Sequence, residues 1–179
     1  MIPLILTSLW MWALIVDRMI YFRRIGRNDV DLKQAVEMLD RDLAPKTSNG
    51  LRSRLMANFL KERTGSREVD LGILDLCVIR QRPYITRYLA VIGVLAAIAP
   101  LFGLLGTVTG MVATFEVIAL FGTGNAKAMA GGISEALITT QSGLLVAIPG
   151  LFMSAFLMRR ARGIQSRLDE LVMTLKRKI

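Results

Sequence analysis

Residues 99–115 read APLFGLLGTVTGMVATF, and residues 131–150 read GGISEALITTQSGLLVAIPG. Both stretches are apolar enough to lie in a bilayer and both are rich in Gly and Thr, while the second also carries a carboxylate, Glu135. A charged side chain at bilayer depth costs about 3 kcal/mol even on the mildest scales, so it is usually retained beside an ion path or a partner's charge. The two stretches therefore predict a membrane protein with a polar site among its helices.

Three segments with almost no charge define the fold class. Residues 1–16 and 88–115 are uncharged, and residues 128–158 contain Glu135 as their only charge. A helix needs about 20 apolar residues to cross a bilayer, and the second and third segments exceed that length. The pattern predicts an all-α membrane protein with three transmembrane helices and long cytoplasmic helical extensions.

The first segment is short for a transmembrane helix. It reaches the required length when it extends to Phe22, with Asp17 and Arg18 at the membrane interface. A cleaved signal peptide is the alternative, although no basic residue precedes the apolar run and no small-x-small cleavage site follows it. We therefore expect a membrane helix.

The positions of Lys and Arg predict the orientation. All but one of the 23 basic residues lie in 18–87 or 159–179, and the exception is Lys127. By the positive-inside rule those two regions are cytoplasmic. The predicted segments are transmembrane helix 1 at 1–22 with a periplasmic N-terminus, a cytoplasmic helical segment at 23–87, transmembrane helix 2 at 88–120, a periplasmic loop at 121–132, transmembrane helix 3 at 133–158 and a cytoplasmic C-terminal helix at 159–179.

The composition excludes several classes of function. Cys77 is the only cysteine and there is no histidine, which excludes an intrachain disulfide, Ser-His-Asp catalysis and most zinc sites. Ser134 and Ser142 have no His or mid-membrane Lys to activate them, so an intramembrane hydrolase is a distant alternative. The net charge of +9 is mostly the topology signal. We expect no enzyme, no cofactor, no metal and no nucleic-acid partner.

Apolar residues at helical spacing predict helices outside the membrane. One helix starts at Asn28 or Asp29, the next starts at Leu51 and closes at Thr64-Gly65-Ser66, and a third starts near Ser66 and kinks or breaks at Pro83. The predicted apolar faces are Leu32, Ala35, Val36, Leu39 and Leu43; Leu51, Leu55, Phe59 and Leu60; Val69, Ile73, Leu76 and Cys77; and, in the tail, Ile164, Leu168, Leu171, Val172 and Leu175.

Small and hydroxyl-bearing residues form stripes on transmembrane helices 2 and 3. At 100° per residue, Gly103, Thr107, Gly110 and Thr114 share one stripe, and Gly106 forms a small-x-x-x-small pair with Gly110. For any one Thr, plain helix packing with its hydroxyl bonded to its own helix is the favoured alternative to a pore role. The residues assigned to helix packing are Gly103, Gly106, Gly110, Gly143, Ala147 and Pro149, and the proline should interrupt the hydrogen-bond ladder locally.

Transmembrane helix 3 presents two polar faces. Thr140 shares a face with Ala136, Gly143 and Ala147, while Glu135 shares another with Thr139 and Ser142. Glu135 and Thr140 differ by about 140° in direction, so both cannot point into one narrow pore. Glu135 is therefore expected to support the pathway or contact a subunit; the alternative is an interfacial residue in the helix's first turn.

These segments resemble the ExbB/TolQ/MotA proton-channel family, and most closely its ExbB and TolQ branch. The resemblance rests on GLLGTVTG at 103–110, on GISEAL with Glu135 and with Thr140 five residues later, and on GLLVAIP at 143–149. The stretch DRMIYFRR at 17–24 and the three-helix layout extend it over most of the chain.

The resemblance implies a motor subunit of the bacterial inner membrane. In that family five subunits form a ring around two copies of a single-helix ExbD- or TolR-like partner, whose membrane aspartate takes up and releases protons and whose motion is passed to a TonB- or TolA-like protein. The family's two pore threonines align with Thr107 and Thr140, and its helix-three glutamate aligns with Glu135. Membrane lipids are further partners. The alternatives are a passive membrane scaffold, or a MotA-like or gliding-type motor.

Overall fold

The computed structural model describes residues 2–27, 32, 34, 35, 37, 50–122 and 126–178. No strand occurs among these residues, and their helices are α1 (Ile2–Arg27), α2 (Leu51–Glu62), α3 (Arg67–Thr86), α4 (Leu89–Phe121) and α5 (Ala126–Lys178). The helix expected from Asn28 or Asp29 falls mostly outside the described residues; of its predicted face, Leu32 and Ala35 are helical and Ala35 is fully buried.

Three helical segments within the described residues are long and apolar enough to cross a bilayer. They lie within Ile2–Gly26, Arg67–Phe121 and Met129–Lys178. In the second segment α3 is charged along its length, so the apolar part is α4. The prediction of an all-helical protein with three candidate membrane-spanning helices is confirmed. The sides on which the connecting segments lie remain a prediction.

The chain divides into two compact units. The first unit comprises Met1–Val16 and Tyr88–Phe156, and the second comprises Asp17–Arg87 and Leu157–Ile179. In the first unit, the buried residues of α4 recur at intervals of three or four, apart from one interval of seven between Gly103 and Gly110, while large apolar side chains on its other faces are exposed. A helix that is apolar all round is typical of a membrane span. The buried residues of α4 are Leu89, Ile92, Ala96, Ala99, Gly103, Gly110 and Thr114.

Large apolar side chains form the core of the second unit. In the tail of α5, Leu168, Leu171, Val172 and Leu175 are buried as predicted, whereas Ile164 is only half-buried. Ion pairs flank this core: Arg82 contacts Asp169 at 2.9 Å, and Lys176 contacts Asp75 at 2.6 Å. The other large buried side chains of this unit include Phe22, Leu51, Leu55, Met56, Phe59, Leu74, Ile85 and Leu157.

The predicted turn between α2 and α3 is confirmed, but the predicted face of α3 is partly wrong. α2 starts at Leu51 and ends at Glu62, and Gly65 adopts a positive φ of 84° that favours glycine. On α3, Val69 and Leu76 are about half exposed instead of buried. The buried face is Asp70, Leu74, Cys77, Val78, Gln81 and Ile85. It is rotated from the predicted one because Asp70, a polar residue, is held inward by the turn.

Pro83 and Pro149 lie inside continuous helices, and α3 and the start of α5 extend beyond the expected ends. α3 continues past Pro83 to Thr86, and the chain leaves the helix at Arg87 and Tyr88, where Tyr88 has a φ of 64°. α5 continues through Pro149, which removes one backbone donor without ending the helix. α5 also begins at Ala126, inside the predicted loop 121–132, where alanines favour helix.

The buried carboxylate of Asp70 holds the turn between α2 and α3. It accepts hydrogen bonds from the backbone N–H of Thr64 at 2.8 Å, from the Thr64 hydroxyl at 3.1 Å, from the N–H of Gly65 at 3.2 Å and from the guanidinium of Arg63 at 3.4 Å. Burial raises the pKa of Asp70, but these hydrogen bonds to the charged form outweigh burial and leave the pKa below its ordinary value. The stability that Asp70 contributes is therefore complete above the ordinary carboxyl pKa and is lost as the pH falls through the lowered one.

We expect Asp70→Asn to lower the free energy of unfolding by about 1–3 kcal/mol at neutral pH. The variant should also lose less stability than the wild type when the pH falls below about 4, because the titrating group is gone. Thermal unfolding of the detergent-solubilised chain, followed by circular dichroism at neutral and acid pH, measures both effects. Asp75→Asn is the control, since its exposed pair with Lys176 contributes about 1 kcal/mol or less. Equal losses in the two variants would contradict this role for Asp70.

Candidate functional site

The backbones of α4 and α5 are in direct contact. A Cβ placed on Gly143 would lie 2.9 Å from the carbonyl oxygen of Ala99 and 3.0 Å from Cα of Gly103. A Cβ placed on Gly103 would lie 3.1 Å from the carbonyl oxygen of Thr139 and 3.2 Å from Cα of Thr140. At these two positions only glycine fits without moving a helix, which is the close approach that small residues permit in membranes.

The contact continues for several turns in a strip that we call the glycine seam. The seam consists of Ala99, Gly103, Gly106, Gly110 and Thr114 on α4, and of Gly132, Ala136, Thr139, Thr140 and Gly143 on α5. A Cβ on Gly110 would lie 2.9 Å from that of Ala136, and one on Gly106 would lie 2.5 Å from that of Thr139. A Cβ on Gly132 would collide with the Thr114 hydroxyl.

Most hydroxyl groups along the seam bond to their own helix. Thr107 donates to the carbonyl of Leu104 at 2.6 Å, and Thr114 and Thr139 likewise donate to carbonyls three or four residues back. Thr140 differs, because its hydroxyl faces the carbonyl of Gly103 on α4 at 3.4 Å, which is a long hydrogen bond. The packing alternative expected each Thr hydroxyl to bond to its own helix. The hydroxyl of Thr107 does so, whereas that of Thr140 reaches the other helix.

Thr107 is not part of the seam, but it lies on α4 at a level next to that of Thr140. Thr140 is opposite Gly103, and Thr107 is one turn further along α4 from that glycine. Both side chains are half-buried, in contrast to the buried Thr114 and Thr139. Two hydroxyl groups therefore remain partly open at one side of the packed helices.

Glu135 lies outside the seam. Its side chain is exposed, and it makes no hydrogen bond or ion pair with any residue in the part of the chain that the structure describes. Its neighbour Ala136 is buried against Gly110. Because α5 begins at Ala126, Glu135 is more than two turns into the helix, and the alternative that placed it in the first turn is wrong.

Comparison with known proteins identifies the family. The model of the MotA/TolQ/ExbB proton channel family matches residues 46–170. The biopolymer transport protein ExbB of Salmonella typhimurium is 34% identical over 172 residues, covering 84% of this chain and 68% of the relative. An ExbB-like protein of Synechocystis is 31% identical over 159 residues, covering 84% and 76%. ExbB of Neisseria meningitidis is 29% identical over 186 residues, covering 93% and 84%.

The chain belongs to the MotA/TolQ/ExbB proton channel family. Its relatives assign it to the ExbB branch, which confirms the resemblance found in the sequence. In a proton channel, partly open hydroxyl groups have a clear chemical use, because each can donate one hydrogen bond and accept two without carrying a permanent charge. In the ranges described, no group of three or more Cys, Asp or Glu side chains is close enough to hold a metal ion.

From the sequence, Thr139 was expected on the face of Glu135, and two glycines were not recognised as packing residues. Thr139 is packed in the seam against Gly106 and does not share the exposure of Glu135. Gly132 was not singled out, nor was Gly150, where a Cβ would lie 2.6 Å from the Met11 sulfur of α1. The available signal was the spacing of small residues by three or four along α5.

Two other residues assigned to packing lie on α5. Ala147 is 2% exposed, and Pro149 is half-buried inside the continuous helix. Neither carries a polar group that could act in proton transfer. Their positions fit a packing role, which stays a prediction.

We expect Gly143→Ala to destabilise the packing of α4 against α5 by about 1–3 kcal/mol, since the new methyl group would meet backbone atoms that cannot rotate away. The measurement is thermal unfolding of the detergent-solubilised chain. Gly131→Ala is the matched control on the same helix, because no heavy atom of the described residues lies within 4 Å of its Cβ. That control should be neutral or slightly stabilising through helix propensity. Similar melting temperatures for both variants would contradict the seam as the site of closest contact.

Proposed function

We propose that this chain is the ring-forming subunit of a proton-driven motor in the bacterial inner membrane. Together with an ExbD- or TolR-like partner, it would convert the proton motive force into mechanical work on a TonB- or TolA-like protein, for transport across the outer membrane or for its integrity. Membership of the proton channel family and relatives named as biopolymer transport proteins support this proposal.

The partner is proposed to supply the titrating group at the bilayer centre. Residues 88–115 carry no charge, and the only charge in residues 128–158 is Glu135, which is exposed and lies outside the seam. Two copies of a single-helix partner inside a ring of five chains would place a carboxyl group beside each seam in turn. One elementary charge that crosses 100 mV releases about 2.3 kcal/mol, so several protons would drive one mechanical step.

Thr107 and Thr140 are proposed to line the proton path, with different roles. The Thr107 proton is engaged with Leu104, so its oxygen can only accept a hydrogen bond, which favours a protonated carboxylic acid on the partner. The long bond of Thr140 to Gly103 is weak, so its hydroxyl can turn and donate to an ionised carboxylate. This difference between two neighbouring hydroxyl groups is the observation that carries the proposal, because it favours opposite protonation states one helical turn apart.

Glu135 is proposed to support this path or to contact an adjacent subunit. It is exposed in the single chain, although its neighbours along the helix are mostly apolar. A neighbouring subunit that covers it would remove a charge from lipid. The proposed orientation puts the segment 23–87 and the tail from residue 159 in the cytoplasm, according to the distribution of basic residues.

A passive membrane scaffold is the second candidate. The hydroxyl of Thr107 bonds to its own helix, which is what a purely structural threonine would do. A scaffold predicts that substitutions in the seam disrupt assembly while the hydroxyl groups are dispensable. A MotA-like or gliding-type motor differs from the main proposal in the partner that receives the force.

We expect Thr107→Val and Thr140→Val each to reduce proton flux about tenfold, the loss that corresponds to one missing hydrogen bond of about 1.4 kcal/mol. Valine preserves the shape of the side chain and removes only the hydroxyl. Flux is measured in proteoliposomes that contain the chain and a co-expressed single-helix partner with a membrane aspartate.

Thr109→Val is the matched control for these variants. Thr109 lies on the same helix and bonds to the carbonyl of Gly106 at 3.0 Å, but it is exposed and lines a hollow with Pro3 and Leu4 of α1. It should leave the flux unchanged. If all three variants conduct like the wild type while the complex assembles normally, the pore assignment is wrong and the scaffold is favoured.

We expect Glu135→Ala to reduce the number of complete rings or the flux through them, and Glu135→Gln to have a smaller effect because the amide keeps hydrogen-bonding capacity. Native mass spectrometry counts the subunits, and the flux assay is run on the same preparation. Glu116→Ala on α4 is the control, since that carboxylate is also exposed. Normal rings with normal flux in Glu135→Ala would refute both proposed roles.

A further inference from the structure

A cleft of about 390 Å³ lies in the second unit, between the end of α1 and helices α2 and α3. It is far larger than the space of about 30 Å³ that one water molecule occupies. Among the described residues, guanidinium, phenol and amide groups contribute to its lining and no carboxylate does. The polar lining residues are Tyr21, Arg54, Asn58, Arg80, Gln81 and Tyr84.

Gln81 at the wall of the cleft lacks a protein partner. The residue is only 7% exposed, and its amide makes no hydrogen bond within the residues that the structure describes. Its amide atoms are not fully buried, so they reach the space of the cleft. An amide placed there beside guanidinium groups can donate to a ligand that carries acceptor oxygens.

The charges around the cleft favour an anion. Arg18 is 6% exposed, lies 4.7 Å from the ring centre of Tyr21 and donates to the backbone carbonyl of Tyr84 at 3.3 Å. Arg54 and Arg80 line the cleft itself. Two carboxylates oppose them nearby: Asp17 pairs with Arg18 at 2.8 Å, and Glu62 pairs with Arg80 at 3.2 Å. The guanidinium fork matches the oxygens of a phosphate group better than any other side chain.

We propose that this cleft binds the phosphate of an anionic phospholipid headgroup. The lipid is favoured over free phosphate by exposed apolar surface: Tyr84, which lines the cleft, is 58% exposed, and Ile20, the residue before Tyr21 on α1, is 46% exposed. Tyr and Arg are also typical of the membrane interface, and clustered basic residues there attract anionic lipids. The choice of a lipid rests on the proposed orientation, in which the end of α1 lies at the cytoplasmic membrane surface.

The test uses the full chain in phosphatidylcholine vesicles with and without phosphatidylglycerol. After extraction in detergent, native mass spectrometry counts the phosphatidylglycerol molecules that remain bound to each chain. We expect Arg54→Gln and Gln81→Leu to lower the apparent affinity about tenfold. Arg54→Lys should also bind weakly, because it keeps the charge but loses the planar fork. Arg67→Gln removes the same charge from an exposed position on α3 outside the cleft and should bind like the wild type.

Three outcomes would overturn the proposal. Wild-type retention of phosphatidylglycerol in the Arg54 and Gln81 variants would mean that the lipid binds elsewhere, and equal loss in Arg67→Gln would mean that only net charge matters. If inorganic phosphate alone binds the detergent-solubilised chain as tightly as the lipid, the ligand is a soluble phosphate. The assay needs neither a partner nor a proton gradient, so its result is independent of the flux measurements.

Discussion

The packing of the first unit depends on direct contact between the backbones of α4 and α5. Between lipid-exposed helices the hydrophobic effect gives no net attraction, so association relies on close van der Waals contact and on hydrogen bonds. Gly103 and Gly143 allow that contact because a Cβ on either would meet backbone within about 3 Å. The same approach brings the Thr140 hydroxyl to the carbonyl of Gly103. Helix packing and the polar site are therefore built from one set of residues.

This double use of the seam residues limits the proton chemistry that the chain can perform alone. The seam uses Thr114 and Thr139 as packed, back-bonded side chains, and leaves Thr107 and Thr140 half-open. Neither threonine titrates, so the chain can orient a proton carrier but cannot replace one. Glu135 carries a carboxyl group, yet it is exposed and lies outside the seam. This is why the proposed proton path along the seam takes its carboxyl group from another chain.

The sequence was sufficient for the helical class, the three apolar segments, the family and the α2–α3 turn, because charge-free length and glycine at a turn are local signals. It was insufficient wherever burial depends on a neighbour. Leu76 is as apolar as Leu74, yet Leu74 is buried and Leu76 is exposed. The difference follows from the rotation of α3, which the four hydrogen bonds to Asp70 fix. Thr139 was grouped with Glu135 because helical angles alone do not say which side the glycines of the other helix approach. The roles of Thr107, Thr140 and Glu135 remain proposals.

The type of residue that α5 buries changes along its length, and this supports the proposed membrane boundary at residue 158. Up to Ser154 the helix buries mainly small residues, among them Ala136, Gly143, Ala147 and Gly150. From Leu157 onward it buries mostly leucine: Leu157, Leu168, Leu171 and Leu175. In water the burial of a leucine removes apolar area at about 25 cal/mol per Å², whereas in lipid that gain is absent and close backbone contact is worth more. The change in buried residues occurs just before Arg159, where the basic residues begin. Two independent properties, buried volume and charge, thus favour the same position for the proposed end of the third span.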